Sequence, residues 1–284
     1  MALVTSKELL LDAQKRGYAV GAFNVENMEM AMAVLAAAEE TRSPVIMQTT
    51  PSTVRFAGLD YYLAIVRAAA ERTSVPVVMH LDHGNSFDLA MQALRTGYTS
   101  IMIDGSKLSF EENIALTKSV TDACIPNKVP VEGELGKVGG KEDDLVNGDD
   151  NPYTDPEEAR IFVERTKVDS LAVGIGTSHG VYKGVPKVNV ERLSEIRALV
   201  EVPLVLHGTS GVPDKQVRDC VSRGICKVNY ATDLRIALTK GIRNYLELNP
   251  EAFDPKKYTS CGMAEVKAYV MQKMDVVGST GKAY

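Results

Sequence analysis

Imidazole is the side chain best suited to holding a transition metal or moving a proton near neutral pH, and this chain of 284 residues has only four. Three of them, His83, His179 and His207, stand at or just beyond the ends of apolar stretches: residues 77–81, 171–175 and 204–206. A single histidine in such a place is ordinarily a hydrogen-bonded structural residue. Three in the same setting can meet, and three imidazoles with open positions suit catalytic zinc. His80 lies inside the first stretch and reads as packed. Asp82 stands beside His83, and its side chain is expected to point differently. Alone it would read as a turn former or cap; beside zinc it reads as a proton-transfer group. Asp104 and Glu134 end neighbouring stretches, where they could hold a second metal position or orient the histidines from behind. Glu132 shares the strand face of Glu134 and joins that group.

The elements that must position these residues alternate regularly. Strand-like segments at 18–23, 45–49, 77–83, 100–103, 129–134, 171–175, 204–206 and 227–229 are separated by helical patterns at 28–42, 61–71, 87–96, 111–124, 156–166, 190–200 and 215–223, after an opening helix at 3–16. Their apolar runs are continuous rather than alternating, the mark of buried parallel strands. Eight such units in this length predict an α/β fold, a (β/α)8 TIM barrel forming one domain over 1–284. A doubly wound sheet is the alternative, but it has one ligand crevice. Here Asn24, Thr49, Asp82, Asp104, Glu134, His207 and Asn229 all end strands and would converge on one barrel face. Residues 233–284 form a helical extension broken at Asn249-Pro250 and Asp254-Pro255, expected to pack across a dimer rather than on the barrel.

Three loops carry further chemistry. The stretch Leu135 to Thr154 is Gly-rich, acidic and long for a strand-to-helix connection, as in a lid. Its Glu142, Asp143 and Asp144 read either as a solvated charge run or as a base delivered by a moving loop. Gly208-Thr-Ser-Gly211 and Asn229-Tyr-Ala-Thr232 follow strands seven and eight, where barrels frequently bind phosphate through backbone N–H groups. Gly174-Ile-Gly-Thr-Ser-His-Gly180 superficially suggests a dinucleotide fingerprint, but its spacing is off by one and a histidine stands inside it, so NAD is set aside.

A net charge of −5 argues against nucleic acid or an anionic membrane as the main partner. No apolar run approaches the roughly 20 residues that span a bilayer. The opening residues show no basic-then-apolar leader pattern. Cys124, Cys220, Cys226 and Cys261 are widely spaced, as reduced thiols of a cytoplasmic protein would be.

His80-Leu-Asp-His-Gly84, Glu132-Gly-Glu-Leu-Gly136 with Gly139-Gly-Lys-Glu-Asp-Asp144, Gly176-Thr-Ser-His-Gly-Val-Tyr-Lys183, Leu206-His-Gly-Thr-Ser-Gly211 and Val228-Asn-Tyr-Ala-Thr232 together resemble the class II ketose-bisphosphate aldolases. The resemblance runs from Tyr18 to the terminal Val277-Gly-Ser279. It implies zinc-dependent cleavage of a ketose 1,6-bisphosphate to dihydroxyacetone phosphate and glyceraldehyde 3-phosphate. His83, His179 and His207 would hold Zn²⁺, with Asp104 and Glu134 lining an alternative metal position. Asp82 would be the acid on the aldehyde oxygen in condensation, and Glu142 would move the proton at carbon. Asn24, Gly180, Gly208, Thr209, Ser210, Asn229, Tyr230, Ala231 and Thr232 would bind substrate, with a monovalent cation (Na⁺ or K⁺) near the phosphate. No Schiff-base lysine is then required; Lys137, Lys141 and Lys183 lie on loops where a solvated ammonium is a poor nucleophile. The variants at 170–177 and 229–232 resemble the tagatose branch more than the fructose branch, although Thr209 and Tyr230 depart from both. A deoxy-ketogluconate phosphate is the further substrate class. A homo-oligomer, dimer or tetramer, is expected. Two other classes stand beside this: a zinc hydrolase, which lacks the His-x-His expected on strand one, and a non-catalytic metal-binding subunit.

Overall fold

The computed structural model describes residues 3–136, 139–142, 145–147, 153–180, 184 and 186–283, with 139–142 and 145–147 described as backbone only. Strands β1 (Val20–Asn24), β2 (Val45–Thr49), β3 (Val77–Gly84), β4 (Ser100–Ile103) and β5 (Val131–Leu135) come first. Two short strands, β6 (Gly139–Glu142) and β7 (Leu145–Asn147), interrupt the series before β8 (Ser170–Val173), β9 (Ser178–His179), β10 (Leu204–Leu206) and β11 (Ile225–Tyr230). Eight of these close a parallel barrel in the order β1-β11-β10-β8-β5-β4-β3-β2. The remaining three form a small sheet, β7-β6-β9, within the stretch that sequence pattern assigns to loops.

Helices α1 (Ser6–Arg16), α2 (Met28–Thr41), α3 (Pro51–Ala57), α4 (Leu59–Ala70), α5 (Phe87–Thr96), α6 (Phe110–Cys124), α7 (Pro156–Thr166), α8 (Val190–Leu199) and α9 (Asp214–Ser222) surround it. Polar residues in the turns satisfy the N–H groups that each helix start leaves open. Asn27 accepts from the Met30 N–H, Ser86 from Leu89, Asp155 from Glu157 and Glu158, and Ser109 with Glu112 forms a capping box. Helix α3 escapes the sequence pattern because it is one short, Pro-started piece capped by Thr50.

Parallel strands bury both faces, and side-chain direction alternates along each. One set packs outward under the helices in the main core. The other fills the barrel: Val20, Ala22, Ile46, Val78 and Cys226 meet Leu9, Leu10 and Ala13 of α1, which closes one end. Met102, Ala172 and Val205 form a layer further along the axis. Polar inward residues occupy the rest.

The extension folds as α10 (Thr232–Leu248) and α11 (Pro255–Val276), with the break where Asn249-Pro250 and Asp254-Pro255 predict it. Val266, Val270 and Met274 of α11 belong to the main core, and Lys267 bonds Glu40 of α2 at 2.6 Å. The extension therefore packs on its own barrel, where sequence reasoning expected contact across a dimer. Among the described residues no helix is long and apolar enough to cross a membrane.

Candidate metal centre and phosphate cleft

Asp82 and His83 are consecutive, so simple alternation would send them to opposite faces. A register shift between Leu81 and Gly84 in the β3–β4 pairing prevents that. His83 adopts φ 48°, a left-handed backbone uncommon for non-glycine residues. Gly84 lets β3 press on β4, since a Cβ there would lie 2.4 Å from the Met102 carbonyl oxygen. Both side chains consequently turn into the barrel, and a bulge beside a site that re-aims a side chain is an established device. The expectation that the two point apart holds only for their partners.

The three histidines converge. Ring centroids lie 5.0 Å apart for His83 and His179, 4.7 Å for His83 and His207, and 6.2 Å for His179 and His207. One nitrogen from each falls within 4.8 Å of the others. Behind two of them stand carboxylates: Asp104 Oδ2 lies 2.9 Å from His83 Nδ1, and Glu132 Oε1 lies 2.9 Å from His207 Nε2. A carboxylate only accepts, so those ring nitrogens carry the protons. His83 Nε2 and His207 Nδ1 face each other 3.0 Å apart. A protonated His83 donates across that gap, and once it is neutral both nitrogens offer lone pairs to a cation. The donor set therefore fits a divalent metal of imidazole preference, zinc among them.

The charges in the pocket favour a protonated His83, so a metal would displace that proton. Burial opposes a charge on His83, but Asp82, the hydrogen bond to Asp104 and the charge of Glu134 override it and hold its pKa well above the ordinary imidazole value. Burial, followed by the charge on His83, pushes His179 and His207 well below it. Glu134 is raised by burial and by the neighbouring Asp104 charge. Its Oε2 is buried, accepts no hydrogen bond among the described residues, and sits 3.5 Å from His207 Nδ1. His83, Asp104 and Glu134 form a second group able to hold a metal.

Asp82 is held from both sides. Asn24 Nδ2 donates to Oδ2 at 2.9 Å, and Asn229 Nδ2 donates to Oδ1 at 3.1 Å. Gln48 in turn donates to Asn24 Oδ1 at 2.8 Å. Asn24, predicted to bind substrate, is in this structure a holder of the carboxylate. His80 is buried as predicted, but its surroundings are polar: Ser100 Oγ lies 2.8 Å from Nδ1 and Lys227 Nζ 3.4 Å from Nε2.

Beside His179, Gly180, Gly208, Thr209, Ser210, Asn229, Ala231 and Thr232 line one cleft. Helix α10 begins at its edge, and a helix N-terminus favours an anion. Gly208 has φ 64°, and a Cβ there would lie 2.7 Å from the Ser178 backbone. Only glycine lets the two loops meet. Tyr230 departs from the prediction. Its ring stacks on Phe23 at 5.6 Å and meets Tyr269 edge-on at 6.1 Å, outside the barrel wall and away from the cleft. It neighbours the inward Asn229, so alternation turns it outward. Glu142 contributes backbone to β6, but its side chain, like all of Asp143 and Asp144, lies outside the described residues.

Sequence reasoning missed Gln48 and Lys227. Both occupy inward rows, Lys227 two positions before Asn229, so strand parity was the available signal.

A family model described as class II fructose-bisphosphate aldolase matches residues 4–282. Among solved structures, the YdjI aldolase from Escherichia coli K12 is 36% identical, with TM-score 0.88 over 99% of this chain and 100% of that one. A Coccidioides immitis protein assigned as a fructose-1,6-bisphosphate aldolase is 30% identical, with TM-score 0.87 over 97% and 96%. Fructose-bisphosphate aldolase from Campylobacter jejuni is 26% identical, with TM-score 0.84 over 99% and 97%.

Proposed function

Since this chain belongs to the class II fructose-bisphosphate aldolase family, we propose that it reversibly cleaves a ketose 1,6-bisphosphate, tagatose in preference to fructose, to dihydroxyacetone phosphate and glyceraldehyde 3-phosphate. The observation that carries the reading is the facing pair His83 Nε2 and His207 Nδ1, each backed by a carboxylate, beside a cleft that shares His179. His83, His179 and His207 would hold zinc. When bound, zinc supplies Lewis-acid stabilisation of the negative charge that develops as the bond β to the carbonyl breaks.

The chain's own residues do the rest. Asp82, fixed by Asn24 and Asn229, takes the proton of the hydroxyl that becomes the aldehyde and returns it in condensation. Gly180, Gly208, Thr209, Ser210, Ala231 and Thr232 receive the phosphate of the dihydroxyacetone portion, with a monovalent cation nearby. Tyr230 adds backbone only. Glu142 moves the proton at carbon. A homo-oligomer is part of the same reading, supported by Leu248 (83% exposed) and Phe253 (91% exposed) at the α10–α11 turn.

The deciding experiment incubates zinc-loaded protein with tagatose and fructose 1,6-bisphosphates, with and without a chelator. Chelator-sensitive release of dihydroxyacetone phosphate is expected, faster from tagatose. No release from either sugar would remove the aldolase reading, whereas a fructose preference would reverse only the choice of epimer.

A further inference from the structure

Lys227 is fully buried on β11, inside the barrel. Its Nζ donates to Glu132 Oε2 at 2.8 Å. The other oxygen of that carboxylate, Oε1, is the one 2.9 Å from His207 Nε2. The two oxygens of a carboxylate are chemically equivalent, and a free one is at liberty to rotate. Lys227 removes that freedom. Its own place is fixed by His80, whose Nε2 lies 3.4 Å away, whose Nδ1 meets Ser100 Oγ at 2.8 Å, and whose ring is thereby held. Ser100 Oγ is in turn 2.8 Å from Ser6 Oγ on α1. A buried ion pair contributes little net stability compared with apolar packing. Its value here is geometric.

We propose that Lys227 is a positioning residue for the metal centre: by engaging Glu132 Oε2 it directs Oε1 onto His207 Nε2–H, which leaves His207 Nδ1 as the ligand atom. The proposal rests on the reading of His83, His179 and His207 as a metal site. It assigns to a lysine that touches none of the three ligand histidines the choice of which imidazole nitrogen faces the site.

The test uses Co²⁺ as a visible probe on the full chain, comparing wild type with Lys227→Met. Apo-protein thermal unfolding is recorded first, then Co²⁺ affinity by chelator competition, the visible bands, and zinc-supported kcat and KM. Wild type should bind Co²⁺ with the bands of an imidazole-rich site. Folded Lys227→Met should bind roughly 10–100-fold more weakly, with shifted bands, reduced kcat and KM for the sugar bisphosphate changed by less than about twofold, because the phosphate cleft is untouched. A merely structural lysine would move the unfolding temperature and leave the bands of the folded fraction unchanged. Should Lys227→Met fail to fold around a bare carboxylate, the double variant Glu132→Gln/Lys227→Met removes both charges. Weakened Co²⁺ binding by that folded double variant supports the proposal, and wild-type affinity with wild-type bands overturns it. Absence of Co²⁺ binding by wild type would instead overturn the metal-centre reading on which the proposal stands.

Discussion

At the scale of single residues, the site separates metal holding from proton transfer although the two groups are neighbours in the chain. His83 faces His207 and Asp104, while Asp82 faces two amides. Asp82→Asn should therefore keep metal affinity within a few-fold and lower kcat by roughly 10²–10⁴, the usual contribution of a positioned acid or base. His83→Ala should lose both metal and turnover. Metal titration beside steady-state kinetics separates the two, and an Asp82→Asn enzyme at full rate would remove the proposed acid. Tyr230→Phe tests a different assignment. The Tyr230 hydroxyl is buried without a hydrogen-bond partner among the described residues, and its removal relieves a desolvated polar group. Kinetic constants should stay within about twofold and the unfolding temperature should hold or rise, whereas a large rise in KM would restore the phenol to the substrate site. Strand parity made this legible beforehand: Asn229 inward requires Tyr230 outward and Lys227 inward. What parity could not foresee was the bulge at His83, because a left-handed histidine leaves no mark in composition or spacing.

At the scale of elements, the eight barrel strands were legible because their apolar runs are continuous, and eight of the nine surrounding helices, all but α3, because their apolar periodicity is helical. The small β7-β6-β9 sheet was not, since a Gly-rich acidic stretch has no apolar pattern and its strands form only by pairing with one another. Nor could sequence place α11, whose buried stripe of Val266, Val270 and Met274 would serve equally on a neighbouring subunit. Its attachment includes Lys273, which donates to Asp214 at 2.6 Å and lies over the rings of Tyr230 and Tyr269. Burial works against the charge on Asp214, but the hydrogen bond and charge of Lys273 prevail, with Gln272 and Arg218 helping, so its pKa falls below the ordinary value. A depressed carboxylate contributes stability above its unfolded pKa, near 3.9, and loses that contribution as pH falls through the folded value. Lys273→Met should thus cost about 0.5–1 kcal/mol at pH 7, solvent screening included. Thermal unfolding across pH 7 to 3 should show the deficit narrowing below about pH 4. A deficit independent of pH would assign it to the ring contacts instead.

For the whole molecule, the polar axis of the barrel makes folding and metal binding parts of one equilibrium. Asp82, Glu132, Glu134, Lys227 and the four imidazoles are all buried, and a metal at the facing nitrogens of His83 and His207 takes the place of the proton that otherwise joins them. A ligand bound only by the folded state stabilises it by about 4 kcal/mol when its free concentration is 1,000 times Kd. Zinc should raise the unfolding temperature in a concentration-dependent way and a chelator should reverse it. The same addition to His83→Ala should change little. An unfolding temperature indifferent to zinc in the wild-type protein would count against a site built on these nitrogens.

Gly139 and Gly140 of β6 pair with Ser178 and His179 of β9. A backbone shared in this way makes the two loops thermodynamically reciprocal: whatever steadies one steadies the other, by an equal factor in either direction. A cation that fixes the His179 ring should slow amide hydrogen exchange along 139–142, on a strand that holds none of the three ligand histidines. Conversely, a sugar bisphosphate that orders the β6–β7 hairpin tightens the hold on the cation. Metal affinity measured on the ligand-free enzyme is on this account a lower bound on the affinity during turnover.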